Sequence, residues 1–310
     1  MDQVNRIIFA GSGEFGIPSL EALLRGGYEV VQVVSQPDRP AGRGRALTPT
    51  PIASLAASRD LPLLKTASIN AETLPPADLM IFVVFGQKVA PHLVEHAWFG
   101  AVNLHASILP RYRGAAPINW AIIRGETETG NSIIRLAQRM DAGPVLAQSR
   151  LAIGELETAG ELHDRLAADG GPLLSSLVQK MAAGMAVEAP QDETLATLAP
   201  KLSREASRLD FTRPAAELAN QVRGMFPWPG CRVRVVDEQG AEHARVTLVR
   251  ARAVEGSGTP GTISESGNIH CGGGSLEVVE LQPQGKRPMS LAAFCNGHRW
   301  EPRFRAEPTV

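Results

Sequence analysis

The stretch richest in chemistry is NLHASILPRYRGAAP, residues 103–117. Asn103 and His105 stand two apart, a spacing that puts both side chains on one face of a β-strand. Asparagine offers an amide donor with no proton to lose, and histidine titrates near neutrality. Side by side they suit a reaction that passes through an oxyanion and moves a proton. A second signal is Met140-Asp141-Ala142-Gly143-Pro144, a carboxylate on a tight glycine turn that can reach back toward a neighbouring strand. Asp141 could orient His105, favour its protonated form and help shuttle a proton. The plainer readings are a histidine satisfied in the core and an ordinary turn aspartate. No metal site is expected. His92 and His96, at i and i+4, read as solvated residues of a surface helix, and Cys231, Cys271 and Cys295 are widely spaced without a C-x-x-C.

These residues need a sheet to hold them. Residues 6–10 (RIIFA) and 28–35 are apolar runs of strand length, separated by Gly11-Ser12-Gly13-Glu14-Phe15-Gly16 and a helical pattern of Leu20, Leu23 and Leu24 that stops at Gly26-Gly27. Strand, helix and strand in that order make a βαβ unit with parallel pairing. Residues 78–85 and 101–106 continue as central strands, 132–136 as a further one, and 161–183 as the best amphipathic helix. The expected fold is therefore α/β, a doubly wound and mostly parallel sheet. Asn103 and His105 then fall at the carboxyl edge of the strands, where such sheets bind ligands. The glycines also match G-x-G-x-x-G, a dinucleotide signal in the right context. Asp38, the acidic residue that signal would use, sits in a proline-rich loop beside Arg39. A structural role for the glycines is at least as good an account.

Residues 36–51 carry Pro37, Pro40, Pro49 and Pro51 with Arg39, Arg43 and Arg45. This composition excludes helix or sheet interior and predicts a long, basic, exposed loop. Arginine forks suit phosphate oxygens; the bland alternative is a loop kept soluble by its charges. Residues 190–205 are polar and punctuated by proline, which predicts a linker between a domain over 1–189 and one over 206–310. A helix over 214–225 is followed by short β-like runs at 232–236, 245–249, 261–264 and 276–281, the pattern of a small β-barrel of OB-like kind. Lys286 and Arg287, with Arg299, Arg303 and Arg305, would give this domain a second basic patch.

Composition narrows the function classes. The chain has 310 residues, 31 basic against 32 acidic, so it is no generic nucleic-acid coat and any such contact must be local. The longest apolar run, 79–85, is far short of the roughly 20 residues of a membrane span. A cytosolic protein is expected, since the first residues lack the apolar stretch of a secretory signal.

On these residues the chain resembles the 10-formyltetrahydrofolate-dependent formyltransferases, through NLHASILPRYRGAAPINWAI and MDAGP. It resembles their tRNA-acting branch through RIIFAGSGEFG, QPDRPAGRGRALTPTP, DLMIFVVFGQKVAPHLVE, TAGELHDRL, FPWPG and LQPQGKRPMS. The likeness spans nearly the whole chain. It implies an enzyme that moves a formyl group from 10-formyltetrahydrofolate to the amino group of initiator methionyl-tRNA. It puts the catalytic triplet on Asn103, His105 and Asp141. Folate contacts fall on Ser107, Ile108, Leu109 and Pro110, with Val84, Phe85 and Gly86 lining the pterin pocket. Loop 36–51, centred on Arg43, would meet the tRNA acceptor stem. No nucleotide is implied at the glycine turn. Three positions depart from the pattern: Phe85 stands where tyrosine is expected, Phe226 where asparagine is commoner, and Ile108 replaces leucine. An amino-sugar nucleotide as acceptor is the nearest alternative; a nicotinamide dehydrogenase and a non-catalytic RNA-binding protein are more distant ones.

Overall fold

Asn103 and His105 lie on an inner strand of a seven-stranded sheet. The computed structural model describes residues 4–41, 44 and 46–309. Two compact units divide the chain, each drawing on several stretches. One comprises Met1–Gly114, Gly130–Leu151 and His163–Leu198; the other comprises Ala115–Thr129, Ala152–Leu162 and Ala199–Val310.

In the first unit the strands are β1 (Arg6–Gly11), β2 (Glu29–Ser35), the short β3 (Arg39–Ala41) and β4 (Ala46–Thr48), β5 (Leu63–Lys65), β6 (Leu79–Val83) and β7 (Ala101–His105). Strands Ser132–Arg135 and Val145–Gln148 follow. From one edge the sheet runs Val145–Gln148, Ser132–Arg135, β7, β6, β1, β2, β5. Pairing from β7 to β5 is parallel, and Ser132–Arg135 runs antiparallel to both its neighbours. All five residues of β6 are buried, the pattern of a parallel strand covered on both faces. Full burial of each such apolar side chain contributes roughly 1.5–3 kcal/mol.

The glycine turn is explained by packing. A Cβ on Gly11 would stand 2.9 Å from the Val83 carbonyl oxygen and 3.0 Å from the Phe9 ring. The chain then enters helix α1 (Ile17–Arg25) through Pro18 in its first turn. Loop 36–51 departs from expectation. It carries a two-stranded ribbon, β3 against β4, in which Arg39 faces Thr48. Pro40 is tolerated there because an isolated two-strand ribbon has no inner ladder to interrupt.

In the second unit one antiparallel sheet runs Ile269–His270, Ser275–Pro283, Glu242–Val254, Cys231–Val236, Arg305–Thr309. Single bridges from Thr262 to Arg305 and from Ile263 to Ile269 join its two edges, so the sheet is nearly closed and barrel-like. Residues 261–264, expected as a strand, supply only these bridges. The strand Glu242–Val254 bends through register shifts around Leu248, Arg250 and Ala251. Val233, Val235, Leu248, Leu276 and Leu281 fill the interior with Leu218, Val222 and Met225 of the helix Ala215–Met225.

The helix Ala159–Ala182 opens with a reciprocal cap. The Thr158 N–H donates to Glu161 Oε2 at 3.0 Å, and the Glu161 N–H reaches Thr158 Oγ1 at 3.4 Å. Arg250 grips the same Glu161 carboxylate at 2.6 Å and 2.8 Å and donates to the Leu156 carbonyl at 2.7 Å. Glu161 is thereby held down at about 2, chiefly by the Arg250 hydrogen bonds. His96, read as solvated, is half-buried and bonds the Pro75 carbonyl at 2.9 Å.

Candidate active site

Register fixes the first pair. In β7, Asn103 lies between Phe82 of β6 and Ile134, and His105 lies opposite Ser132. The Asn103 amide has no hydrogen-bond partner among the described residues. His105 is buried, 7% exposed, and its Nε2 lies 2.9 Å from the Tyr112 carbonyl oxygen. A carbonyl only accepts, so Nε2 carries a proton and donates. The other ring nitrogen, Nδ1, faces Asp141 Oδ2 at 3.6 Å. The Tyr112 carbonyl holds the ring by a hydrogen bond at Nε2, and Asp141 faces it from the Nδ1 side.

Asp141 sits at the end of a turn with φ of 52°, left-handed backbone in a residue that pays for it. Its Oδ2 accepts the Gly114 N–H at 2.9 Å. Gly143 lies so close to the Arg135 carbonyl that a Cβ there would stand 1.9 Å from its oxygen, which explains the glycine. The Asp141 and Gly143 carbonyls both accept from the Gln191 side-chain amide, at 2.8 Å and 2.7 Å.

The turn after β7 is pinned from the neighbouring strands. Ser107 is fully buried and spends its hydroxyl on the Arg111 carbonyl at 2.7 Å. Ser132 Oγ donates to the Ser107 carbonyl at 2.6 Å and accepts the Leu109 N–H at 3.0 Å. Gln148 donates to the Leu109 carbonyl at 2.9 Å. Leu109 is buried, while Ile108 and Pro110 are half-buried. At the end of β6, Val84 (φ 46°) and Gly86 (φ 76°) turn the chain, and Val84 is exposed. The Phe85 ring is buried against Phe82, centroids 5.7 Å apart, and its carbonyl accepts from Gln36 at 2.9 Å. The aromatic departure at this position is thus a core ring.

The Formyl transferase family profile matches residues 5–178, and the Formyl transferase C-terminal domain profile matches residues 201–299. The chain belongs to the formyl transferase family. It is 40% identical over 307 residues to the methionyl-tRNA formyltransferase of Methylobacterium sp. (strain 4-46), covering 97% of this chain and 98% of that one. It is 41% identical to that of Myxococcus xanthus (strain DK1622), covering 96% of each. Among solved structures, a sugar 3N-formyl transferase crystallised with dTDP and 5-N-formyl-THF superposes with a TM-score of 0.65 at 16% identity, over 92% of this chain and all of that one. The N-formyltransferase of Helicobacter canadensis, in complex with folinic acid and dTDP-3-aminofucose, gives 0.66 at 15% identity, over 90% of this chain and 99% of that one.

In this formyl transferase the three residues singled out for chemistry share the first unit, and the basic residues are spread more widely. Arg39 is exposed on β3, where its guanidinium bonds the Gln36 side chain. Arg43 and Arg45 lie outside the described residues. Lys286 and Arg287 are exposed on the turn after Ser275–Pro283 and have no carboxylate partner among the described residues. Lys286 lines a cleft of about 290 Å³ together with His243, Arg245 and His298. The rest of the expected patch is weaker. Arg299 is paired with Glu301 at 2.8 Å and Arg305 with Glu307 at 3.3 Å. Among the described residues no group of His, Cys, Asp and Glu could hold a metal ion, and no helix is long and apolar enough to cross a membrane.

Several residues that build the site were not singled out from the sequence. Ser132 and Gln148 pin the turn, Thr197 accepts the Tyr112 N–H at 2.9 Å, and Gln191 holds the aspartate turn. Gln148 lies four residues past the MDAGP stretch, so its neighbourhood was marked. Nothing local marks the others.

Proposed function

We propose that the chain transfers the formyl group of 10-formyltetrahydrofolate to the amino group of initiator methionyl-tRNA. The products are N-formylmethionyl-tRNA, used in translation initiation, and tetrahydrofolate. The single observation that carries the chemistry is the meeting of His105 Nδ1 and Asp141 Oδ2, 3.6 Å apart, on the strand that presents the open amide of Asn103. Relatives at about 40% identity along nearly the whole chain support the choice of acceptor.

The amine nitrogen attacks the formyl carbon, and a C–N bond forms. Charge gathers on the formyl oxygen, where the Asn103 amide donates; such a donor typically supplies about 3–4 kcal/mol. Collapse breaks the bond to N10 of the folate. The proton leaving the amine is handled by His105 Nδ1 beside Asp141 and is delivered to N10. Ser107, Ile108, Leu109 and Pro110 form one edge of the folate site, and Val84, Phe85 and Gly86 the pterin end. The pinned turn and the exposed Val84 favour this placement.

Catalysis is assigned to residues 1–189 and tRNA holding to 206–310, with 190–205 running between. The acceptor stem would meet loop 36–51 through Arg39, Arg43 and Arg45, and the tRNA body would meet Lys286 and Arg287. Translation initiation places the enzyme in the cytoplasm. The test is to supply 10-formyltetrahydrofolate and charged initiator methionyl-tRNA and to measure formyl-methionine after hydrolysis, with His105→Ala alongside. Product from the wild type and a large loss in the variant are expected. Folate binding without formylation of the tRNA would overturn the acceptor in favour of another amine.

A further inference from the structure

We infer that Gln191 is a positioning residue for Asp141, locked in place by Arg113 and Glu193. The inference rests on the catalytic reading of Asp141 given above and extends it to a segment that reads as a linker.

The side-chain amide of Gln191 has four uses, all met within the first unit. Its nitrogen donates to the Asp141 carbonyl at 2.8 Å and the Gly143 carbonyl at 2.7 Å. Its oxygen accepts from Arg113 Nε at 3.1 Å and Nη2 at 2.7 Å. Carbonyls only accept and a guanidinium only donates, so the amide has one permitted orientation. Arg113 is 4% exposed, and its other donors grip both Glu193 oxygens at 3.0 Å. The Glu193 carboxyl is held at about 2, first by Arg113 and then by Arg139. The carboxylate of the clamp is therefore charged at neutral pH.

The target of the clamp matters. One NH₂ group bridges two carbonyls of a single turn, that of Gly143 and that of Asp141 itself, the residue whose left-handed backbone must be sustained from outside. On its other side, the Asp141 carboxylate takes the N–H of Gly114, the residue directly after Arg113. The carboxylate and the turn beneath it are thus fixed to the same short stretch of chain. A gap of 3.6 Å between Asp141 Oδ2 and His105 Nδ1 is sensitive to small shifts, because proton transfer falls off steeply beyond hydrogen-bond reach. Gln191 touches no reacting atom in this account; it acts through Asp141.

The experiment uses the full-length enzyme in four forms: wild type, Gln191→Leu, Asp141→Ala and the double variant, with Gln191→Asn as a milder companion. Leucine keeps the bulk and removes all four bonds. Asparagine keeps the amide but is one methylene short of spanning the two carbonyls. The expected result for Gln191→Leu is a fall in kcat of roughly ten- to a hundredfold, with KM for folate and tRNA moved less than about threefold and a displaced pH profile of kcat. The double variant should be no slower than Asp141→Ala alone, since the clamp serves only the aspartate. If leucine prevents folding, the asparagine variant carries the same expectations with a smaller loss. Wild-type kcat in the soluble Gln191 variant, or a further equal loss on top of Asp141→Ala, would overturn the inference. Full activity in Asp141→Ala would instead overturn the catalytic reading itself.

Discussion

The carboxylate at Asp141 and the carboxylates of the C-terminal barrel are held in opposite ways. Glu277 is paired with Arg252 at 2.6 Å, Glu280 with Arg250 at 2.7 Å, Glu242 with Arg245 at 2.7 Å and Glu307 with Arg234 at 2.5 Å. Asp141 has no arginine partner among the described residues; neutral groups hold it, namely one backbone N–H and an amide clamp beneath its turn. An arginine at that carboxylate would neutralise the charge on which the proposed proton transfer draws. Where a charge has only to fasten a surface, an opposite charge can be spent on it. Where it has to take part in proton transfer, neutral donors must do the positioning and leave the charge free.

The comparison can be broken at three points, taken from the largest effect downward. Asp141→Asn keeps the shape and removes the charge; kcat should fall by roughly 10²–10⁴-fold, with the unfolding midpoint nearly unchanged. Glu277→Gln, the barrel counterpart, should leave kcat unaltered. Equal effects in a steady-state formylation assay would erase the distinction. Next, Lys286→Ala with Arg287→Ala removes two barrel cations that have no carboxylate partner among the described residues. KM for tRNA should rise about three- to tenfold and the salt slope of binding should flatten by about 1–2, while KM for folate stays put. An unchanged salt slope would place the tRNA elsewhere.

The smallest effect concerns Glu161, the half-exposed carboxylate in the Arg250 cluster. Its folded value is near 2 against an ordinary 4.5. A lowered value stabilises the fold in full above about 4.5, and that contribution is lost as pH falls toward 2. Urea unfolding should therefore show wild type above Glu161→Gln at neutral pH, with the gap closing as the solution is acidified through that window. A constant gap would show that the pairing is not what separates the two.

The parallel core was legible because its strands are short, apolar and bounded by glycine or polar turns, as in β6, and the barrel because its β-like runs are short and follow one another closely. Asn103 and His105 were legible for a related reason: spacing of two within a strand puts two side chains on one face. Loop 36–51 was harder, since proline content argues against strands and says nothing of a small ribbon that needs no inner ladder. The supports of the site were harder still. Gln191 lies 50 positions beyond Asp141 in a polar, proline-flanked stretch, and only the folded chain brings its amide to the two carbonyls. Long-range hydrogen bonds from ordinary polar residues leave no periodicity and no motif behind. The tilt of the histidine ring was equally hidden, because its partner is a backbone carbonyl, which every residue has.

That carbonyl has a consequence for the traffic of protons. An imidazole with both nitrogens open can act as a wire, taking a proton from one side and releasing it on the other. With Nε2 committed to Tyr112, His105 is closed at one end. Whatever enters at Nδ1 must leave by the same door, toward Asp141 and the reacting atoms. Formyl exchange between two nitrogens needs no more than this, since the proton surrendered by the incoming amine is the one the departing nitrogen requires. Under the proposed mechanism the transfer closes through Nδ1 alone, with the proton taken from the attacking amine returned to the departing nitrogen by the same atom.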